Sequence, residues 1–397
     1  MPRRARIRRR VGLALALLGL AVGGAIWFLR SAYAAEQVAS RLTAAAGAPV
    51  QFSSLDLGFT GSTVHGLEVL ERNAAPGSRP WLTIGTVDVG LSLWQLLRGD
   101  LAGGLVSLRD VRVVLRFDRA GRLLTRLPEP PAAEEHAAVP TIRVADGSLT
   151  ISREGQPDAV FRNVALELRQ DGPALLLDGG LDDPEWGPWT ILGSRMTPTA
   201  PLAFNFKTRK DVRVTPELLR RTPFVSPTVW DHVTCEGVTP CELALQFNPV
   251  SPLNYRVALE PRDTKVYVRA IDLRTRETSG KVTIADDVLT LENVRGHAAG
   301  GELKLRSLMD FRGIDTIMRF SVEAGLLSLN DLPASWGVPP LRGELNGRAE
   351  LELTVRAGRT IIRGQGEGVV RVFPLLRALK VQLISDGQRL RFHIARD

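Results

Sequence analysis

The chain has 397 residues, 44% of them hydrophobic, with 51 Lys and Arg against 43 Asp and Glu and only two cysteines. That apolar fraction suits a folding chain, and the length allows two or three ordinary domains or one elongated one. Six basic residues, Arg3, Arg4, Arg6, Arg8, Arg9 and Arg10, crowd the first ten positions; without them base and acid nearly balance, which removes the main support for nucleic-acid binding.

An uncharged run from Val11 to Leu29 follows the arginines, and Arg30 closes it. As a helix it reaches roughly 28 Å, close to the hydrocarbon thickness of a bilayer. Residues 1–30 therefore read as a basic cytoplasmic tail and a transmembrane signal-anchor. The six arginines set the orientation: they stay in the cytoplasm and the body crosses. Ala32-Tyr33-Ala34 meets the small-x-small rule for cleavage, but the apolar run is longer than a usual signal peptide, so a retained anchor is expected and cleavage is the alternative.

Residues 31–47 predict a juxtamembrane amphipathic helix, with Ala35, Val38, Ala39, Leu42 and Ala46 at helical spacing and Gly47 and Pro49 ending it. From Val50 the period changes to two. Val87, Val89, Leu91 and Leu93 alternate with polar or small residues, as do Val164, Leu166 and Leu168, then Leu303 and Leu305, then Leu351, Leu353 and Val355. This is the pattern of antiparallel strands with one apolar and one solvated face. Asp118-Arg119-Ala120-Gly121, Asp146-Gly147, Asp286-Asp287 and Asp386-Gly387 read as turns between them. Ala145 to Ile151 and Ala285 to Leu291 echo each other weakly, with Ser385-Asp386-Gly387 opening a similar third unit.

Short helices are expected at Trp94–Arg98, at Leu326–Ala334, at Pro374–Leu379 and at Thr215–Arg221, where Thr215 is placed to cap and Pro216 to open the first turn. A linker with four prolines and three glutamates, 128–140, divides the body into an N-terminal part, 48–127, and a C-terminal part, 141–397. The fold class expected is mainly β: a transmembrane helix, then an elongated, curved antiparallel sheet forming a groove, with few short helices.

Chemical motifs are sparse. The five histidines are scattered, and the best ligand cluster, Asp231, His232, Cys235, Glu236 and Cys241, reads more readily as a solvated loop than as a zinc site. An oxidising compartment permits a disulfide between Cys235 and Cys241. Gly364-Gln365-Gly366-Glu367-Gly368 lacks the strand and helix of a phosphate loop; alternating glycines in a strand serve close approach or bending instead. Asp182-Asp183 with Glu185, beside Pro184, reads as a turn, and the tryptophans near strand ends, Trp81, Trp186, Trp189, Trp230 and Trp336, as edge packing. No catalytic residue, cofactor or metal site is expected, and the chain does not read as an enzyme.

A long sheet must hide its apolar face, and few helices are available to cover it. It closes as a sandwich or barrel, or curls around something apolar such as acyl chains, each buried CH₂ being worth roughly 0.8 kcal/mol. The candidate groove residues are Val87, Val89, Leu91, Val164, Leu166, Leu168, Leu289, Leu291, Leu303, Leu305, Leu351 and Leu353.

Several stretches resemble the AsmA-like family, relatives of TamB, of Gram-negative envelopes. They are Trp81 to Val89 with Leu91 to Leu101, whose Leu96-Leu97-Arg98-Gly99 resembles that family's short turn; Val111 to Leu124; Val294-Arg295-Gly296 with Ala299-Gly300-Gly301-Glu302-Leu303; and Leu341 to Leu351. The resemblance implies a β-sheet groove in the periplasm, tethered to the inner membrane by one span. It implies a non-enzymatic role in phospholipid transport or outer-membrane biogenesis, with membrane phospholipid as ligand. The last strand before Asp397 offers an edge for an envelope protein partner. The alternative is a structural or scaffolding subunit of an envelope assembly or secretion machine.

Overall fold

The computed structural model describes residues 36–57 apart from 37, 41, 45 and 46; 61–72; 78–90; 104–127 apart from 120 and 121; 140–197; 200–247 apart from 224; 254–338; 341–385 apart from 357, 358 and 374–376; 387; and 390–394. The arginine tail, the 11–29 span, Leu91, the Trp94–Arg98 turn and 128–139 lie outside them. Among the described residues no helix is long and apolar enough to cross a membrane. The protein is mainly β, with few helices, and divides into two compact units, 1–181 and 182–397.

The first unit opens with helical residues 36, 38–40 and 42–44. Gly47, at φ 66, sends its N–H back to the Thr43 carbonyl, and the Thr43 hydroxyl accepts from Val50 N at 3.1 Å. A left-handed glycine of this kind satisfies the last helical carbonyls. Leu42 packs on the core formed by Val50, Val64, Leu67, Val69, Ile84, Val87 and Val111. The sheet beneath runs β1 (Val50–Gln51) and β2 (Ser54–Leu57) side by side along β3 (Ser62–Val69). It continues through β4 (Leu82–Val89), β5 (Leu105–Phe117), β6 (Thr141–Arg153), β7 (Ala159–Asp171) and β8 (Ala174–Asp183).

One pairing corrects the antiparallel expectation: β5 and β6 are parallel, Leu105 opposite Thr141 and Phe117 opposite Arg153. Parallel neighbours need a crossover rather than a hairpin. The connection from Phe117 to Thr141 must therefore cross over.

The second unit is antiparallel throughout. Its strands are β9 (Gly187–Arg195), β10 (Leu202–Thr208), β11 (Val212–Val214), β12 (Val233–Thr239), β13 (Cys241–Phe247), β14 (Asn254–Leu259), β15 (Arg262–Val268), β16 (Leu273–Ala285), β17 (Val288–Ala298) and β18 (Gly301–Asp310). They continue as β19 (Thr316–Ser328), β20 (Gly343–Arg356), β21 (Arg359–Val372), β22 (Arg377–Ser385) and β23 (Leu390–Ile394). From β16 to β23 each strand pairs with the next. Before β16 the strands come in halves. β10 and β11 pair along β13 and β12, which pair along β14 and β15, which both pair along β16. These are long strands broken at one level, at 209–211, at Pro240 and at Glu260-Pro261. Both prolines lack the N–H that would carry the ladder through.

The breaks continue as bulges. Register shifts fall at Gly237 (φ 153), Asp263 (φ 54), Glu277 (φ 51), Gly280 (φ 140) and Asn293 (φ 50). In the first unit the register shifts lie in β6–β7, at Asp146 (φ 57) and Asn163 (φ 54), whereas Gly66 (φ 59), Gly85 and Asp110 (φ 53) interrupt β3 to β5 without shifting the register. Each bulge bends its strand and raises its twist, so bulges in register curve a whole sheet.

Other local expectations are revised. Asp146-Gly147 lies inside β6 as a bulge, not between strands. Asp286-Asp287, with φ 47 and 61, is a two-residue hairpin turn between β16 and β17, so the 145–151 and 285–291 segments fold differently. The Leu326–Ala334 helix is instead the end of β19 followed by two 3₁₀ turns, η2 (Leu329–Asp331) and η3 (Ala334–Trp336), preceded in the chain by η1 (Arg269–Ile271). Arg377 and Leu379 belong to β22, where a helix was expected. Helix α1 (Pro216–Arg220) forms as its residues dictate, with the Thr215 hydroxyl accepting from Leu218 N at 3.2 Å, and α2 (Pro227–His232) follows.

A Cβ at Gly280 would lie 2.7 Å from the Val294 Cα, whereas one at Gly387 (φ 92) meets nothing within 4 Å. Gly280→Ala should therefore add a backbone clash to the ~1–2 kcal/mol of a disfavoured φ, and Gly387→Ala should cost only the latter. Urea unfolding of the two variants checks this; equal midpoints would mean that the bulge at Gly280 is not sterically held.

Candidate apolar groove

The alternation that marks the strands also sorts the candidate residues. Val87, Val164, Leu289, Leu291, Leu303, Leu305, Leu351 and Leu353 are buried, and Val89, Leu166 and Leu168 are half-buried. They do not form one site. Val87 and Val89 belong to the core of the first unit. The six from Leu289 to Leu353 belong to the core of the second. Val164, Leu166 and Leu168 face Gly147, Val144 and Ile142 across β6–β7.

The opposite face of the second unit is charged. Lys304, Glu323, Arg348 and Glu367 stand side by side on β18 to β21, a row of alternating sign, with Arg348 Nε 2.9 Å from Glu367 and Lys304 Nζ 3.6 Å from Glu323. Arg319 and Glu352 add a second rung at 3.0 Å. Exposed pairs of this kind are each worth about 0–1 kcal/mol, so they mark the solvated face rather than hold the fold.

On the inner face, strand halves from both sides of the break line a common interior. Val233, Cys235, Val266 and Val268 meet Leu259, Val282, Leu289 and Leu291 around a space of about 30 Å³. A second, almost wholly hydrocarbon space of about 60 Å³ lies over β20, β21 and β22. Its floor is short of side chains: Gly347 faces Gly368 and Ala349 faces Gly366 across the β20–β21 pair. Leu345, Leu351, Val381 and Leu383 surround that floor, and Ile271 and Trp336 line it as well. The Trp336 indole N–H donates to the Ile271 carbonyl at 2.7 Å, and the Ser335 hydroxyl lies 3.3 Å from an Asp272 carboxylate oxygen. Both spaces are smaller than the ~150 Å³ that admits a benzene molecule.

The cluster around Cys235 and Cys241 does not converge. Asp231 pairs with Arg220 at 3.1 Å, and the His232 ring lies 5.9 Å from that of Phe311, where burial holds its pKa down. Among the described residues no group of three or more His, Cys, Asp and Glu is placed to hold a metal ion. Both cysteines are free thiols here, without the disulfide that an oxidising compartment permits. They face inward on either side of Pro240, with Cys235 lining the 30 Å³ space and Cys241 buried. Burial pushes the Cys235 thiol up to about 11 and, with Cys235 nearby, the Cys241 thiol up to about 12. Asp183 turns the chain into β9, its carboxylate accepting from Glu185 N and Trp186 N at 2.8 and 3.0 Å.

Comparisons with protein-family models, with curated proteins and with solved structures found no match.

The sequence reading singled out Leu303 and Leu351, which do line the 60 Å³ space, but missed Ile271, Leu345, Val381 and Leu383. The run Gly364-Gln365-Gly366-Glu367-Gly368 was the available signal, since alternation puts its three glycines on one face of one strand.

The thiols generate a pH prediction. The fold favours their neutral form, so their contribution to stability is whole below pH 9 and is lost as pH rises through 11 to 12. Urea midpoints of the parent should fall over that window, and Cys241→Ala should fall less steeply; parallel curves would refute the coupling. At pH 8 iodoacetamide should label the native thiols about 100-fold more slowly than the unfolded chain, because the thiolate is the reactive form.

Proposed function

We propose that this is an AsmA-like protein of the bacterial envelope. In this reading residues 1–30 anchor it in the inner membrane with the arginines in the cytoplasm. The β body stands in the periplasm and acts without covalent chemistry. Its ligand is the acyl part of membrane phospholipid, held against the inner face of the sheet and passed toward the outer membrane. The observation that carries the reading is the hydrocarbon-lined space over the glycine floor of β20 and β21, on the face opposite the charged rows. Acyl chains gain from leaving water wherever such a surface opens to them, and no directional group is needed to hold them.

A second reading, a scaffolding subunit of an envelope machine, is favoured by one observation: the inner face is already packed, with only about 60 and 30 Å³ left free. A sheet that satisfies itself in this way needs no ligand. Its outer face and terminal strand would then carry the contacts.

The two readings separate in cells expressing the full chain and fed a diazirine-bearing fatty acid. After illumination, peptide mass spectrometry should place adducts on inner-face positions of β20–β22, such as Ala349 and Val381. Ala349→Phe, which fills the space, should lower that yield about fivefold, equivalent to about 1 kcal/mol. Adducts confined to residues 11–29 would sink the lipid reading and favour the scaffold.

A further inference from the structure

The segment from Leu329 to Val338 follows β19 and precedes β20, which begins at Gly343. It does not take the short route a hairpin would. Leu329 and Leu332 are buried in the core, whereas Ala334, Ser335 and Gly337 are exposed and Trp336 alone among them is half-buried. The exposed half is fastened at two points, both more than sixty residues away in the chain: Trp336 Nε1 to the Ile271 carbonyl, and the Ser335 hydroxyl to Asp272. Asp272 is itself held in a left-handed turn (φ 48), its other carboxylate oxygen 3.2 Å from the Tyr267 hydroxyl. Gly337, also left-handed at φ 62, ends the fastened segment.

This strap lines two spaces. One is the 60 Å³ hydrocarbon space over the glycine floor, lined by Trp336. The other is a space of about 230 Å³ lined by Asp272, Arg274, Asp331 and Pro333. Leu273, Leu303 and Leu327 line both. The first is too small for an alkyl chain, and the second has a polar mouth. Joined, they would offer a hydrocarbon bed with a polar end, the shape that a single-chain amphiphile requires.

We propose that residues 333–338 form a lid, that Trp336 occupies the acyl position when no ligand is present, and that an acyl chain enters by displacing it. The inference rests on the lipid reading above and adds its control. The indole stands in for the ligand: it covers the apolar floor, and the lid that carries it is latched by two hydrogen bonds, one from the indole and one from Ser335, that an incoming chain does not need. Leu329 and Leu332 stay in the core as the fixed end, and Gly337 supplies the backbone freedom at the other.

The test uses the full chain and the diazirine fatty acid. Trp336→Ala should raise the adduct yield on β20–β22 about fivefold, and Trp336→Phe, which keeps the ring but loses the bond to Ile271, should fall between. A double variant, Ser335→Cys with Asp272→Cys, places two thiols where the side chains now meet. Its oxidation should cut the yield about fivefold, and a reducing agent should restore it, which no folding defect would mimic. If the parent chain gives adducts on β20–β22 but neither Trp336→Ala nor the reversible lock changes the yield, the lid is overturned and the lipid reading survives. If no variant and no redox state gives adducts there, the lipid reading falls and takes the lid with it.

Discussion

The structure depends on where its strands are interrupted. A sheet of regular long strands twists but does not fold over, and its apolar face stays open along its whole length. Here positive-φ residues mark register shifts on successive strands, Asp146 and Asn163 in the first unit, Gly237, Asp263, Gly280 and Asn293 in the second. One bulge bends one strand; a row of them bends the sheet. The consequence in the second unit is that Val266 and Val268, below the break, share a space with Leu289 and Leu291 above it. A sheet becomes its own second layer, and few helices are then required to cover it.

This explains which parts of the fold were legible from the residues. Two-residue alternation at Leu303–Leu305 and Leu351–Leu353 located strands and their buried face, because the pleat converts sequence parity directly into side. Thr215-Pro216 located a helix start for an equally local reason. The breaks were misread because an Asp-Gly pair reports only a positive φ, and a bulge and a hairpin turn both use one. Asp146-Gly147 and Asp286-Asp287 look alike in the chain; the first kinks β6 in place and the second reverses direction. What decides between them is the pairing of neighbours, which is not local. The parallel β5–β6 pair was hidden for the same reason: the proline-rich stretch announced a connection without saying which way the chain returned.

The groove was half legible on similar grounds. Leucines on one face of a strand could be named, but whether they line a space or fill it depends on what the bend brings opposite. Leu353, opposite Met318 and Ile362, is fully buried by such opposition, while Leu351 borders free space, its partner on β21 being Gly364. Trp336 could be read only as edge packing, since its contact with Ile271 spans 65 residues.

The two faces also divide the work of specifying the sheet. On β18 to β21 the row of Lys304, Glu323, Arg348 and Glu367 adds little stability, yet a slip of one residue would move these charges into the core and the leucines into water. Register is thus fixed by alternation on both faces at once. That leaves the inner face free to be poorly filled at one place without losing the fold. Where Gly347, Gly366 and Gly368 replace side chains, the lining atoms lose their dispersion partners and the apposed surfaces attract each other least. The hydrocarbon space over β20 and β21 is the result, and it is lined there by Trp336, a residue from outside the strands.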